Sequence, residues 1–209
     1  MRHAIKVCRP QRGCSRYTLG VMREPRYPVK NITAALLWVC LCQAVVAQAG
    51  ELEAYPDVGS TPSLVLMDLG NNRHDLDQYR GQVVLVNFWA SWCTPCLMEM
   101  PSMQRLETAL KDRPFRLLAV NVSESRSKAW KFMKLLKVTF TTLLDSKGEA
   151  AEAWNVQIYP TSYLIDADGR MRYVAYGAVE WGSEDVIQQI EALMPGGKAV
   201  HQATSKQVE

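Results

Sequence analysis

The strongest pattern in the chain is an apolar run, Val83–Trp89, broken only by Asn87. Its β-branched and aromatic content predicts a strand buried on both faces. Arg116–Val122 predicts a second such strand, and Thr139–Leu144 a third. Between them the spacing changes to that of helices. From Cys93 to about Leu110 the pattern is helical with Pro101 inside it, and Ala129, Phe132, Met133 and Leu136 fall on one helix face. Glu149–Trp154 reads as a short helix. Thr161–Asp166 and Met171–Tyr176 predict a hairpin around the turn dipeptide Asp168-Gly169. Ser183 is a favourable cap for a last helix that carries Glu184 and Asp185 in its first turn and buries Val186, Ile190 and Leu193. Pro195-Gly196-Gly197 stops it. Upstream, residues 50–62 read as an irregular lead-in with Pro56 and Pro62. Ser63–Leu69 is a short strand candidate before the turn Gly70-Asn71-Asn72, and Asp75–Tyr79 a helical turn ending at Gly81. The order predicts one α/β domain over 63–195, with 196–209 a frayed tail.

Residues 1–49 differ in kind. They hold eight Lys/Arg against one acid, Glu24, whereas residues 50–209 hold sixteen Lys/Arg against twenty Asp/Glu. The net charge of +3 is therefore a basic leader on an acidic body. The body gives no electrostatic case for nucleic acid or an anionic membrane as partner. In the leader, Arg23, Arg26 and Lys30 precede a mostly apolar stretch from Ile32 to Ala47, and Ala47-Gln48-Ala49 offers small residues for a signal peptidase. The stretch is interrupted by Gln43 and is shorter than the roughly 20 apolar residues of a spanning helix. A cleaved export signal is the leading expectation, and a membrane anchor at residues 32–47 the second. Met22 makes a more usual start for such a signal than Met1. The expected location is periplasmic or otherwise extracytoplasmic.

Cys8, Cys14, Cys40 and Cys42 lie in the leader, which leaves the body with Cys93 and Cys96 alone. A pair two residues apart closes too small a loop to restrain the unfolded chain much, so reactivity explains it better than stability. At a strand-to-helix junction the first cysteine meets the unpaired N–H groups and positive dipole end of the helix, which favour a thiolate. Cys93 is thus the expected nucleophile. Cys96, one turn on, is the resolving thiol of a thiol-disulfide exchange cycle. Half of a zinc site is the bland alternative, but the body adds only His74 and His201 as further histidines. No metal and no cofactor is expected.

Phe88-Trp89-Ala90-Ser91-Trp92-Cys93-Thr94-Pro95-Cys96 resembles the active-site segment of thioredoxins, and with Glu99 and Pro101 it resembles the TlpA/ResA branch of that family. Val156–Asp166 and Gly169 resemble the branch's second signature, so the likeness runs from about Thr61 to Met194. The resemblance implies a thioredoxin-like α/β fold: a central mixed sheet flanked by helices, with an extra amino-terminal strand region. It implies that Pro160 follows a cis peptide bond and packs by the disulfide, leaving the backbone of Tyr159 to pair with a substrate strand. Trp92 is expected to shield the thiolate and offer an apolar contact, Trp89 to be core, and Pro101 to be the kink proline of the helix. Thioredoxins carry a buried Asp where this chain has Asn87, which cannot take the proton of Cys96. Glu99, a turn beyond Cys96, is the candidate replacement.

Members of the branch are exported reductants, several serving cytochrome c maturation or oxidase assembly. The implied partners are a disulfide-bonded client protein and a membrane electron-donor reductase. Thr94-Pro95 holds no His to stabilise a thiolate, so a potential nearer thioredoxin at roughly −270 mV than the oxidase DsbA at roughly −120 mV is expected. The competing readings are a disulfide oxidase or isomerase, and a non-catalytic assembly or metal-binding module.

Overall fold

The computed structural model describes residues 50–56 and 61–196. The leader, most of the tail and part of the lead-in lie outside the described residues. One eight-stranded mixed sheet organises the rest: β1 (Glu53–Ala54), β2 (Val65–Asp68), β3 (Arg73–Asp75), β4 (Val83–Trp89), β5 (Phe115–Val122), β6 (Thr141–Asp145), β7 (Thr161–Ile165) and β8 (Met171–Tyr176), in the spatial order β1-β8-β7-β4-β5-β6-β2-β3. The central strands β4, β5 and β6 run parallel, and β4 pairs antiparallel with β7. Helices α1 (Thr94–Ala109), α2 (Arg126–Leu136), α3 (Glu149–Ala153) and α4 (Glu184–Ala192) cover the sheet. This is the expected thioredoxin-like architecture.

Every residue of β4 is buried, and its side chains alternate between two cores. Val83, Leu85 and Trp89 join Met100, Met103 and Leu106 of α1, Met133 of α2 and Ile190 of α4. Val84, Val86 and Phe88 join Leu64, Ala151, Trp154 and Tyr163 on the other face. Asn87 falls in the first series by its period of two. The only polar residue of β4 therefore faces the helix that begins at the cysteines.

Two short strands correct the expected pattern. The lead-in is not wholly irregular: Glu53 and Ala54 form β1 at one edge of the sheet, opposite Val174 and Tyr173. Arg73–Asp75 forms β3, which closes a hairpin with β2. Strands of two and three residues carry no period of their own, and their partners hold them in place. The turn after β3 is a 3-10 helix, Leu76–Tyr79, capped by Asp75. Among the described residues no helix is long and apolar enough to cross a membrane.

Candidate active site

β4 ends at Trp89, and the chain turns at once, with Cys93 N–H donating to the Ala90 carbonyl at 3.1 Å. Cys93 is the N-cap of α1, in extended conformation, and its Sγ accepts from the Cys96 N–H at 3.2 Å. A sulfur thus takes the capping role usually filled by oxygen, aimed at the helix's unpaired donors. Pro95 in the first turn has no N–H to leave unsatisfied. Cys93 and Cys96 are joined as a disulfide, with Cα atoms 5.3 Å apart. Cys96 is fully buried, whereas Cys93 keeps 5% of its surface. Pro101 lies inside α1, as expected.

The distant second signature arrives at the same end of the sheet. Phe88 of β4 pairs with Thr161 of β7, which sets the residue before Thr161 beside the turn that carries Cys93. That residue is Pro160, buried and preceded by a cis peptide bond. The Tyr159 ring stands edge-on to Trp92 with centroids 5.5 Å apart. Among the described residues, the Tyr159 N–H and C=O make no backbone hydrogen bond. Trp92 is 64% exposed, and Met98 and Ile158 are exposed as well. The sequence pattern singled out neither of the last two, since an apolar residue facing water has no local signature. Trp89 is core, as expected.

Glu99 is far from a solvated helix carboxylate. It is buried on the same face of α1 as Cys96. Its Oε1 accepts from Asn87 Nδ2 at 2.8 Å, and its Oε2 accepts from the Val179 N–H at 3.1 Å and Trp181 Nε1 at 3.0 Å. Burial pushes its carboxyl up to about 7, although all three hydrogen bonds favour the charged form. Asn87 also donates to Ser162 Oγ at 2.9 Å. The residue in the place of the thioredoxin Asp is thus a donor to the carboxylate that lies one turn beyond Cys96.

A second buried carboxylate, Glu124, escaped the sequence pattern. It accepts from the Ser91 N–H and Ser91 Oγ, both at 2.7 Å, from Asn121 Nδ2 at 2.8 Å and from Lys128 Nζ at 2.7 Å. Burial alone would raise its pKa, but these donors together hold it below the usual carboxylate range. It braces the turn two residues before Cys93. Lys128 lies four residues on and Asn121 three residues back, but only the fold brings Ser91 to it.

The Redoxin family profile matches residues 53–190, most of the described chain. The thiol-disulfide oxidoreductase ResA of Geobacillus thermodenitrificans is 33% identical over 174 residues, covering 83% of this chain and 99% of the relative. The chain belongs to the Redoxin family, among its ResA-type thiol-disulfide oxidoreductases. ResA of Geobacillus kaustophilus is 38% identical over 139 residues, covering 66% of this chain and 79% of its own. A crystal structure described as a thiol:disulfide interchange protein, DsbE, from Chlorobium tepidum superposes with a TM-score of 0.61. It is 32% identical and covers 66% of this chain and 99% of its own. The Cys93–Cys96 disulfide stands at the N-terminus of α1 in this chain.

Proposed function

We propose that this ResA-type enzyme is an exported reductant that opens disulfides in client proteins. The observation that carries the direction is the poor support offered to a Cys93 thiolate. Among the described residues one hydrogen-bond donor, the Cys96 N–H, reaches its sulfur, and the intervening Thr94-Pro95 adds none. An oxidant owes its potential to a stabilised reduced form, and to the helix N-terminus this site adds no histidine between the cysteines that would stabilise a thiolate further.

In the proposed cycle the Cys93 thiolate attacks a client disulfide, forming a mixed disulfide and expelling one client thiolate. Cys96 gives its proton to the Glu99 carboxylate and attacks Cys93 Sγ. The second client thiolate leaves with the electron pair of the broken bond, and the Cys93–Cys96 disulfide remains. A dithiol donor returns two electrons and two protons. The exposed Trp92 offers an apolar contact, and the unpaired backbone of Tyr159, fixed by Pro160, receives an extended client segment. The basic leader followed by an apolar stretch supports export, which demands a membrane reductase as electron source. By family resemblance the clients are cysteine pairs of apocytochromes or of oxidase copper sites.

The test is the reduction potential, titrated against a dithiol buffer and read by alkylation of Cys93 and Cys96. A value at or below about −220 mV is expected, and one above about −150 mV would overturn the direction while leaving the exchange chemistry intact. Glu99→Gln is expected to slow the Cys96 step and leave Cys93 alkylation largely unchanged.

A further inference from the structure

Both oxygens of Glu99 are engaged, but unequally. Oε2 accepts from the Val179 N–H at 3.1 Å and Trp181 Nε1 at 3.0 Å, so both its lone pairs are filled. Oε1 accepts only from Asn87 Nδ2, at 2.8 Å, and keeps a lone pair free. Asn87 Oδ1 is itself buried with no partner, which leaves an acceptor on that side of the carboxyl group. A proton added to Glu99 therefore has one place to bind. We propose that Trp181 is a positioning residue of the exchange reaction: its indole N–H, with the Val179 N–H, blocks Oε2 and confines the exchangeable proton of Glu99 to Oε1, on the Asn87 side.

The indole is held for this task twice over. Its ring is fully buried, and the Trp181 backbone N–H donates to Ser102 Oγ at 3.2 Å. That hydroxyl donates in turn to the Glu99 carbonyl at 2.7 Å. The segment after β8 is thus fastened to the same turn of α1 at its backbone and at its side chain. The side-chain hydrogen bond of Trp181 goes to Glu99, and it acts through Glu99.

The inference rests on the proposed proton exchange between Cys96 and Glu99, and it is specific about acid–base behaviour. Cys93 and Cys96 share the hydrophobic core that Trp181 fills, with Tyr159 and Tyr173 packed against it. The nearby ion pair between Arg105 and Glu180 is exposed, with both side chains 59% accessible. Burial and the three neutral donors set the proton affinity of Glu99. Removing one of three donors to a buried carboxylate strengthens proton binding about tenfold, one pH unit.

The experiment uses the reduced full chain and an aromatic disulfide whose two halves are coloured thiolates. Cys93 releases the first half and Cys96 the second, so two phases separate in a stopped-flow record. Trp181→Phe keeps a ring but loses the donor. It is expected to move the pH midpoint of the second phase up by about one unit, leaving the first phase in place. In wild-type protein the Trp181 indole N–H resonance is expected to titrate with that same midpoint, and in Glu99→Gln to stay flat. An unmoved midpoint in Trp181→Phe, or an indole resonance flat across the range in wild type, overturns the role of Trp181. A second phase whose pH profile survives Glu99→Gln unchanged overturns the underlying reading of Glu99 instead. The resonance needs no substitution at Trp181, so it decides the matter even if Trp181→Phe fails to fold.

Discussion

A carboxyl group with three neutral donors and no cation in contact is held in a balance that depends on pH. Glu99 titrates near 7 in the folded chain, against 4.5 when solvated, because burial penalises its charge more than its hydrogen bonds reward it. A folded-state value above the unfolded one means that the folded chain binds this proton more tightly. The stabilisation is complete below about pH 4.5 and is lost as pH rises through about 7. Relative to Glu99→Gln, the wild-type protein is expected to lose up to roughly 3 kcal/mol between pH 4.5 and pH 8. Urea midpoints of the two proteins across that range check this; parallel curves would show that Glu99 stays ionised throughout. Cys93 and Cys96 were legible in the sequence because their chemistry is tied to spacing, and Pro160 through the resemblance of Val156–Asp166 to the family's second signature. Glu99 was legible as a candidate, but its burial was not. Trp181 was invisible, since Glu99 lies in a segment that only the fold brings to it, and Glu124 showed no more than its i,i+4 spacing to Lys128.

Elements with enough residues to show a period were readable, and their ends less so. Val83–Trp89 matches β4 at both ends because an uninterrupted buried run admits one reading. β1 and β3 were missed because their positions depend on β8 and β2 rather than on their own residues. Caps show the same limit. Ser183 does precede α4, as its position suggested, yet its side chain makes no capping hydrogen bond. Ser125, in the equivalent place before α2, accepts from the Lys128 N–H. Residue type alone cannot distinguish the two serines. Ser183→Ala is therefore expected to change stability by less than about 0.5 kcal/mol, and Ser125→Ala to cost about 1 kcal/mol. Denaturant midpoints measured side by side decide it, and equal losses would contradict the geometry.

At the scale of the molecule, the site is a product of strand direction. β4, β5 and β6 run parallel, so the ends of β4 and β5 deliver the Cys93 turn and Glu124 to one rim of the sheet. The antiparallel β7 starts at that rim with Pro160, and β8 ends there, leading to Val179 and Trp181. Four segments thus converge on one disulfide, and the proposed direction requires the folded chain to support its oxidised and reduced forms to different degrees. In the proposed reductant the reduced form gains less than the oxidised: Thr94-Pro95 brings no histidine to a Cys93 thiolate, and Glu99 has to accept a proton from the buried Cys96. Thermodynamic linkage ties that imbalance to stability, since the form the fold favours is the form that melts later. A reductant of this kind is expected to melt at a higher temperature with the Cys93–Cys96 disulfide closed than with it open. An oxidant such as DsbA is set the other way, by a stabilised reduced form. Calorimetry of the oxidised protein and of the protein held reduced by excess dithiol measures the difference directly. A reduced form that melted later would place the fold's preference with the thiolate, and the proposed direction of electron flow would have to be reversed.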